Sequence, residues 1–567
     1  MTDRIKFSEI PYERVMLDDI KTAYAGFARE IKAASSFEQA REAYLRFDAF
    51  ADHVDTLAEL AFIRHKLNTS DEFYKAENRY YGETFFPGLS ENQREVCQAV
   101  LEGAYAGKFE QVYGPTFTVR LMDVIAVSDP EIAEERAAES ALCSDYEELV
   151  SAIRIDWNGE PLTGHAMSPY LFTDDDDIRL AAWKKSGEGY LSVGGELDRI
   201  FDELVKVRTG AAKKLGCDNF VPLGYKRMKR DWFSWADLDG FRQGIKEYIV
   251  PLVSGFKKAQ AERLGKDYPM NFADNTLTFR SEAVPIGTKE DTLNTAFAVF
   301  KELSPETAAF IEYLSAGGMF DVSASPTKSG GGFSVFLPDY KSPFLFSHFT
   351  GTLVDVNSIT HEGGHAFAGY MARNIRPSVL RAAALDTAEI HAQAMELFLL
   401  PYAERFFGKD SLKYVYEHIT DAYSFIPYGV MVDEFQQRVY ENPRLSPDER
   451  HGLWRELLSA YMPWLKPGEI PFYGDGRHWQ RQMHIYVKPF YYIDYVLSNI
   501  AALQFWAESR DDFPGAWRRY LELVKLGGQK NFLELLQAAS LPSPLLKESL
   551  LKIGTAADEW LSSVCYA

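Results

Sequence analysis

The stretch NSITHEGGHAFAGYMA, residues 357–372, carries two histidines four residues apart. In an α-helix, residues at this spacing lie about one turn apart on the same face, so His361 and His365 can point at one common ligand. The apolar neighbours suit a buried helix: Ile359, Ala366, Phe367, Ala368 and Met371. This stretch therefore predicts a buried helix that presents a pair of imidazoles.

His361-Glu362-Gly363-Gly364-His365 is an HExxH motif, a pattern typical of catalytic zinc sites. Two imidazoles at this spacing can reach one zinc ion at about 2.0–2.1 Å, and Glu362 can act as general base on a water at the metal. Each glycine costs a helix interior roughly 1 kcal/mol, which indicates that another backbone or a substrate approaches this helix closely. The alternative interpretation is a surface helix with two unrelated histidines.

Catalytic zinc sites keep three protein ligands and one open position, so a third ligand is expected. The metzincin pattern needs a histidine ten residues after His361; that position holds methionine, which excludes that class. The downstream stretch ALDTAEIHAQAMELFLL (384–400) offers Glu389, Glu396 and His391, which we rank in that order because Glu389 begins a new apolar-periodic helix. Glu396 or Asp386 could instead support a histidine ligand through a hydrogen bond.

Composition limits the class of protein. The chain has 567 residues with 61 Lys plus Arg against 82 Asp plus Glu, a formal net charge of −21, and it contains no basic run. Because nucleic-acid affinity comes from neutralising phosphates, we expect no nucleic-acid partner. No CxxC pair is present, and the few cysteines are scattered, as expected for a reducing compartment: Cys97, Cys143, Cys217 and Cys565. With no apolar leader and no apolar run of about 18 residues, the sequence predicts a cytoplasmic protein without a membrane partner.

Helical periodicity dominates the chain and predicts a mainly α fold. The clearest helical runs are 131–153, 178–215, 236–264, 290–316, 390–406, 447–463, 484–508 and 514–539. Residues 318–355 differ, with three consecutive glycines (330–332) and alternating apolar positions, which predicts a small β-sheet beside the HExxH helix. That sheet is either a structural hairpin or the source of an edge strand for an extended peptide.

The length exceeds what one hydrophobic core usually organises, so we expect more than one domain. We predict an N-terminal helical region over 1–205 and a catalytic zinc domain over 206–567, which contains all the candidate chemistry. The sequence carries no signal for the oligomeric state.

HEGGHAF, followed by Glu389 in EIHAQAME, resembles the M3 family of zinc oligopeptidases, and within it the oligoendopeptidase F branch. This chain has Ala392 where the family motif has serine, and Gly-Gly inside HExxH where the family often has Phe-Gly or Ala-Gly. The resemblance implies a large helical ellipsoid with a deep substrate channel, which admits only short unstructured peptides. It also implies one zinc ion per chain.

A second segment, HIYVKPFYYIDYVLSNIAALQFW (484–506), resembles the part of this family that faces the zinc across the cleft. The resemblance matches His484, Tyr492 and Tyr495 to residues that bind the oxygen of the scissile carbonyl, with Tyr491 possible by a shift of one residue. A phenol can donate a strong hydrogen bond to developing negative charge. The alternative interpretation is that FYYIDY is an aromatic core stripe.

The resulting hypothesis is a zinc-dependent endopeptidase for short oligopeptides, with His361, His365 and Glu389 as metal ligands and Glu362 as general base. One rival is a zinc carboxypeptidase or dipeptidase on a related helical scaffold. That rival needs a basic residue to bind a terminal carboxylate, and Lys488 and Arg477 are candidates. A second rival is a non-enzymatic peptide-binding pseudo-peptidase, which would lack a ligand or the base.

Overall fold

The computed structural model describes residues 5–230, 232–466 and 468–564, so Cys565 lies outside the described residues. Helices make up 72% of the chain and strands occur only in two small sheets, which confirms the predicted mainly α fold. Within the described ranges, no helix combines the length and apolar character that crossing a membrane requires.

The α-helices are, in chain order, α1 Leu17–Ala33, α2 Phe37–Leu67, α3 Glu72–Arg79, α4 Phe86–Leu101, α5 Ala106–Tyr113, α6 Pro115–Val127, α7 Ala133–Ala152, α8 Ser168–Leu171, α9 Asp176–Ser192, α10 Gly194–Lys214, α11 Phe220–Arg227, α12 Leu238–Gly244, α13 Val250–Leu264, α14 Phe272–Asn275, α15 Lys289–Leu303, α16 Pro305–Gly317, α17 Leu353–Ala372, α18 Leu385–Leu399, α19 Ala403–Phe407, α20 Ser411–Glu441, α21 Pro447–Tyr461, α22 Met483–Val487, α23 Tyr492–Ser509, α24 Phe513–Leu526, α25 Phe532–Ala538 and α26 Lys547–Ser563. The strands are β1 Ile155–Trp157, β2 Glu160–Leu162, β3 Phe320–Asp321, β4 Phe333–Leu337 and β5 Ser342–Phe346.

Two compact units alternate along the chain. The first comprises residues 1–128, 283–415 and 501–541, and the second comprises 129–282, 416–500 and 542–567. Residue 205, our predicted boundary, falls within α10. The division into an N-terminal region and a catalytic domain at that residue stays a prediction.

In the first unit, a three-stranded sheet packs against α17, the helix that carries the HExxH motif. β5 is the central strand: β3 runs parallel to it and β4 antiparallel, with Val335 opposite Phe344. All five residues of β5 are buried. Gly369 of α17 faces this sheet, because a Cβ there would lie 3.5 Å from Phe336. The predicted small sheet beside the HExxH helix is therefore confirmed.

Local sequence signals set several helix boundaries. The predicted run 290–316 is two helices, because Ser304 caps α16 with a capping box and Pro305 occupies its first position. Ser446 caps α21 in the same way, and the Glu449 carboxylate accepts a hydrogen bond from the backbone N–H of Ser446. The run 484–508 is interrupted at Lys488–Tyr491, where Pro489 disfavours helix in the residue before it.

In the second unit, α20 and α23 approach closely. A Cβ at Gly429 of α20 would lie 2.3 Å from a methyl group of Val496, so only glycine fits that contact. The ring of Phe435, also on α20, packs edge-on against Trp454 of α21 at 5.1 Å. The hydroxyl of Tyr423 donates to the carbonyl of Ile553 in α26 at 2.7 Å. The first of these contacts packs α23 against α20, and the other two join α20 to α21 and α26.

Candidate metal centre

Two packed helices of the first unit, α17 and α18, bring the metal-ligand candidates together. His361 and His365 lie on one face of α17, and Glu389 is the fifth residue of α18. Nε2 of His361 is 3.6 Å from Glu389 Oε2, and Nε2 of His365 is 3.9 Å from the same oxygen. The three ligand atoms lie within 4.8 Å of one another, so this group could hold a metal ion.

The glycine pair in the motif lets this arrangement form. A Cβ at Gly364 would lie 2.6 Å from the carbonyl oxygen of His391 and 2.7 Å from Cα of Ala392, so α18 sits against the bare backbone of α17. A Cβ at Gly363 would lie 2.6 Å from the ring of Phe300. The cost of two glycines in a helix is therefore offset by close packing on both sides.

Glu396 lies on the same face of α18 as Glu389, about two turns further along the helix, and contacts the ring of His361. Its Oε1 is 2.6 Å from Nδ1 of His361. A hydrogen bond to Nδ1 fixes the ring orientation and leaves Nε2 directed at the cluster. Asp386, the other candidate for such support, accepts a hydrogen bond from Thr387 at 3.1 Å.

His391, our third-ranked candidate ligand, lies outside the three-residue group. Its side chain is buried, and burial lowers its pKa to about 4. Its carbonyl oxygen accepts a hydrogen bond from the hydroxyl of Tyr520 at 2.8 Å. His391 therefore contributes to the packing of α18 against α24.

Glu362 faces the glycine-rich loop that precedes β4. A Cβ at Gly332 would lie 3.1 Å from both Cγ and Oε1 of Glu362, and 2.6 Å from Oγ of Ser358. Lys328 anchors this loop, because its Nζ donates to the Asp321 carboxylate at 2.7 Å and to the carbonyl of Ser347 at 2.6 Å. The main chain of the loop is thereby fixed beside the carboxylate.

Burial and neighbouring charges shift the pKa values of His361, Glu362 and His365. Burial raises the pKa of Glu362 to about 7, with Glu389 and Glu396 adding to the rise and His361 opposing it. Burial disfavours protonation of His361, but the hydrogen bond and charge of Glu396 outweigh it and raise the pKa of His361 to about 9. Burial and the charge of His361 lower the pKa of His365 to about 3. A metal at this site would need His361 as the neutral imidazole, so its binding would displace the proton of that ring.

The second unit contains the aromatic cluster predicted from the segment 484–506. The ring of His484 lies 5.1 Å from that of Tyr492 and 6.1 Å from that of Tyr495, and the two tyrosine rings are 5.8 Å apart. Tyr492 and Tyr495 are partly exposed, whereas Tyr491 is 6% exposed. Burial raises the pKa of Tyr492 to about 12, so its phenol stays protonated and can donate. Burial and Lys488 lower the pKa of His484 to about 4.

Buried polar residues bind the tyrosine segment through its backbone and through Asp494. Phe490 has a left-handed backbone (φ +67), and its N–H donates to Oε1 of Gln436 at 2.9 Å. Arg230 donates from Nε to Asp494 at 3.0 Å and from Nη2 to the carbonyl of Phe490. Sequence reasoning missed Arg230 and Gln436, because neither stands at an informative spacing from the tyrosines.

Comparisons with known proteins agree with this geometry. The Peptidase M3 N-terminal domain model matches residues 7–124, and the Peptidase family M3 model matches residues 297–554. A solved structure described as an oligoendopeptidase F is 36% identical over 99% of each chain, with a TM-score of 0.91. PZ peptidase A with an inhibitor is 35% identical over 99% of each chain, with a TM-score of 0.91. An oligoendopeptidase F from Bacillus anthracis strain Ames is 32% identical over 99% of each chain, with a TM-score of 0.87. No curated protein matches the chain.

A mainly helical fold with an HExxH helix beside a small sheet, matched over its whole length by oligopeptidases, defines a metalloendopeptidase. The chain belongs to peptidase family M3, whose members are zinc metallopeptidases that act on peptides. The resemblance drawn from HEGGHAF and Glu389 is thereby confirmed at the level of the family and of its oligoendopeptidase F branch.

Proposed function

We propose that each chain binds one zinc ion through His361, His365 and Glu389. The observation that carries this proposal is the meeting of two imidazole nitrogens and one carboxylate oxygen within 4.8 Å, from two helices packed at Gly364. Two histidines and a glutamate with one open position are a donor set of catalytic zinc enzymes. The 2.6 Å contact between Glu396 and His361 supplies the outer hydrogen bond that such ligands usually have.

Glu362 is the general base in this proposal. When bound, zinc lowers the pKa of water and polarises the scissile carbonyl. The Glu362 carboxylate accepts the proton of the attacking water and later donates it to the nitrogen of the leaving amine. Support comes from its position beside His361 and from burial, which raises its pKa to about 7 and so suits it to exchange a proton near neutral pH.

We assign Tyr495, with Tyr492 and His484, to hydrogen bonding of the carbonyl oxygen as it gains negative charge. This assignment rests on the family resemblance of the segment 484–506 and on the partial exposure of both phenols. Donors fixed in place before the reaction cost no reorganisation when the charge develops. The core-stripe interpretation remains the alternative, and kinetics of phenylalanine variants separate the two.

The substrates proposed for this site are short, unstructured oligopeptides. β4 lies at an edge of its sheet, with only β5 beside it among the described residues, and Gly332 joins it to the loop against Glu362. An extended peptide can add to such an edge through main-chain hydrogen bonds. We favour this use of β4 over a purely structural hairpin because the strand begins next to the proposed base.

A digest of a mixed peptide library tests the proposal. Peptides of about ten residues, including ones blocked at both termini, should be cut internally, as read by mass spectrometry, and a chelator should abolish cleavage. A folded protein and a long denatured chain should survive. Removal of single residues or dipeptides from a free C-terminus, with blocked peptides left intact, would favour the carboxypeptidase alternative instead.

The two basic residues that are candidates for binding a terminal carboxylate in that alternative already have partners. Nε of Arg477 lies 3.3 Å from the carboxylate of Asp475. Nζ of Lys488 lies 3.9 Å from the centre of the Tyr491 ring. Neither contact resembles an open receptor for a terminal carboxylate.

A further inference from the structure

The second unit contains a cavity of about 340 Å³ that the proposed mechanism does not use. Its walls include the aromatic residues Trp183, Phe272, Tyr428 and Tyr473, with the side chains of Gln482 and Arg481 at the lining. A concave, largely apolar space of this size with a few polar groups is typical of a ligand site. Of the described residues that line it, Arg481 is the only one with a side chain charged throughout the neutral pH range.

Among the described residues, no carboxylate forms an ion pair with Arg481. Its Nη1 donates to the hydroxyl of Tyr473 at 3.0 Å. Burial raises the pKa of both Tyr190 and Tyr428, so these neighbouring phenols are neutral. Burial, with the charge of Arg481, lowers the pKa of His478 to about 3, which leaves that ring neutral as well.

Two other arginines of the second unit differ from Arg481 in that each has a carboxylate partner. Arg477, four residues earlier, pairs with Asp475, and Arg230 pairs with Asp494 at 2.8 Å. A guanidinium that lies among neutral aromatic groups at the lining of a cavity attracts an anion. A planar carboxylate matches its donor geometry best.

We propose that this cavity binds a carboxylate of the peptide substrate through Arg481. The inference rests on the proposed function, since it adds a specificity site to it. Gln482 connects the cavity with His484. Its Oε1 accepts a hydrogen bond from Tyr428 in the cavity wall at 2.8 Å, and its Nε2 lies 2.9 Å from Nδ1 of His484. A residue bound in the cavity would thus lie near the groups assigned to the scissile carbonyl, with its apolar part against the aromatic walls.

The carboxylate has two sources, the C-terminus of the peptide and the side chain of Asp or Glu. Two matched pairs of quenched nine-residue peptides distinguish them: one pair differs only in a C-terminal acid or amide, the other only in Glu or Gln at each position flanking the cleaved bond. The parent enzyme should cleave the acidic member of at least one pair with kcat/KM about 10-fold higher, as charged hydrogen bonds allow.

Arg481→Gln should abolish that preference by making kcat/KM equal for the two members of each pair, and Arg481→Lys should keep part of it. Arg477→Gln is the matched control, because it removes a nearby charge that already has a partner, and it should retain the full preference. Equal kcat/KM within both pairs for the parent, or a preference that survives Arg481→Gln, would overturn the inference.

Loss of the proposed function would give a different result, namely no chelator-sensitive cleavage of any peptide. In that case, equilibrium binding of N-acetyl-Gly-Phe and of its amide to the same proteins still tests the cavity. Tighter binding of the acid to the parent than to Arg481→Gln supports the inference, and equal binding to both proteins contradicts it.

Discussion

Glu396 and His361 form a contact of 2.6 Å between Oε1 and Nδ1, on the side of the imidazole ring away from Nε2. Nε2 of the same ring lies 3.6 Å from Glu389. Glu396 therefore contacts Nδ1 of His361, whereas Glu389, seven residues earlier in α18, lies near Nε2 in the candidate metal-binding group. The two glutamates have different predicted roles, and substitution can separate them.

Glu396→Gln should weaken zinc binding without abolishing it. The amide can still contact Nδ1, but it lacks the negative charge that makes the imidazole a stronger ligand, and loss of such outer contacts typically costs about 10–100-fold in metal affinity. Zinc affinity is measured by competition with a chromophoric chelator. Glu404→Gln, an exposed carboxylate on α19, is the control and should bind zinc like the parent. Parent-like affinity for Glu396→Gln would contradict the supporting role.

His361→Ala, His365→Ala and Glu389→Ala should each lose bound zinc and peptidase activity together, because each removes one of three protein ligands. Metal content of the purified proteins and chelator-sensitive cleavage measure the two losses. His391→Ala should keep its zinc, since that residue lies outside the group. If Glu396→Ala loses its zinc while Glu389→Ala retains it, the ranking of the two glutamates as third metal ligand is wrong.

Glu362→Gln should separate zinc binding from catalysis. The amide cannot accept the proton of water, so turnover should fall by roughly 10²–10⁴-fold, while metal content and KM stay near parent values. Single-turnover kinetics and metal analysis on the same preparation provide both quantities. Turnover close to that of the parent would show that another group activates the water.

Gly364→Ala should destabilise the packing of α17 against α18. Its methyl group would lie 2.6 Å from the carbonyl oxygen of His391, and overpacking of this kind costs about 1–3 kcal/mol. Gly369→Ala on the same helix is the matched control: its methyl group meets Phe336 at an ordinary 3.5 Å, so the variant should gain up to about 1 kcal/mol from the lower entropy of the unfolded chain. Urea unfolding midpoints measure both, and equal shifts would argue against the close approach.

Much of the metal centre could be predicted because its signals are local. HEGGH places two residues on one helical face, and the apolar period that begins at Glu389 ranks that residue above Glu396, although the helix itself begins at Leu385. The structure adds what spacing cannot express, namely that Glu396 reaches the far side of the His361 ring. The need for a close neighbour at the two glycines was visible in the sequence, whereas the identity of that neighbour was not.

Other features depend on contacts between distant parts of the chain. Arg230 reaches Asp494 across 264 positions of sequence, and no motif surrounds either residue. Arg481 stands out because no described acidic residue forms an ion pair with it, which depends on the fold and cannot be read from the sequence. By contrast, the capping box at Ser304 and the break at Pro489 follow from residues that the sequence displays.

The tyrosines of the segment 484–506 give the sharpest kinetic test. If the phenol of Tyr495 donates to an oxygen that carries charge only near the transition state, its hydroxyl lowers the barrier without tightening substrate binding. Tyr495→Phe should then reduce kcat and kcat/KM together, by about 10²–10³-fold, with KM little changed. The ring itself stays, so packing against Tyr491 at 4.6 Å and Tyr492 at 5.8 Å is retained.

Tyr491→Phe is the matched control for that variant, because this ring is buried beneath Lys488 and should contribute packing rather than a donor. Tyr492→Phe tests the neighbouring partly exposed phenol, and its kcat should fall as well, by a smaller factor if the two hydroxyls share the oxygen. Thermal melting of all three variants accompanies the kinetics, since a core role predicts a lower Tm with parent-like kcat. A group that stabilises the transition state cannot be deleted without slowing the reaction. Parent-like turnover in all three variants would therefore assign FYYIDY to the core and exclude these tyrosines from the mechanism.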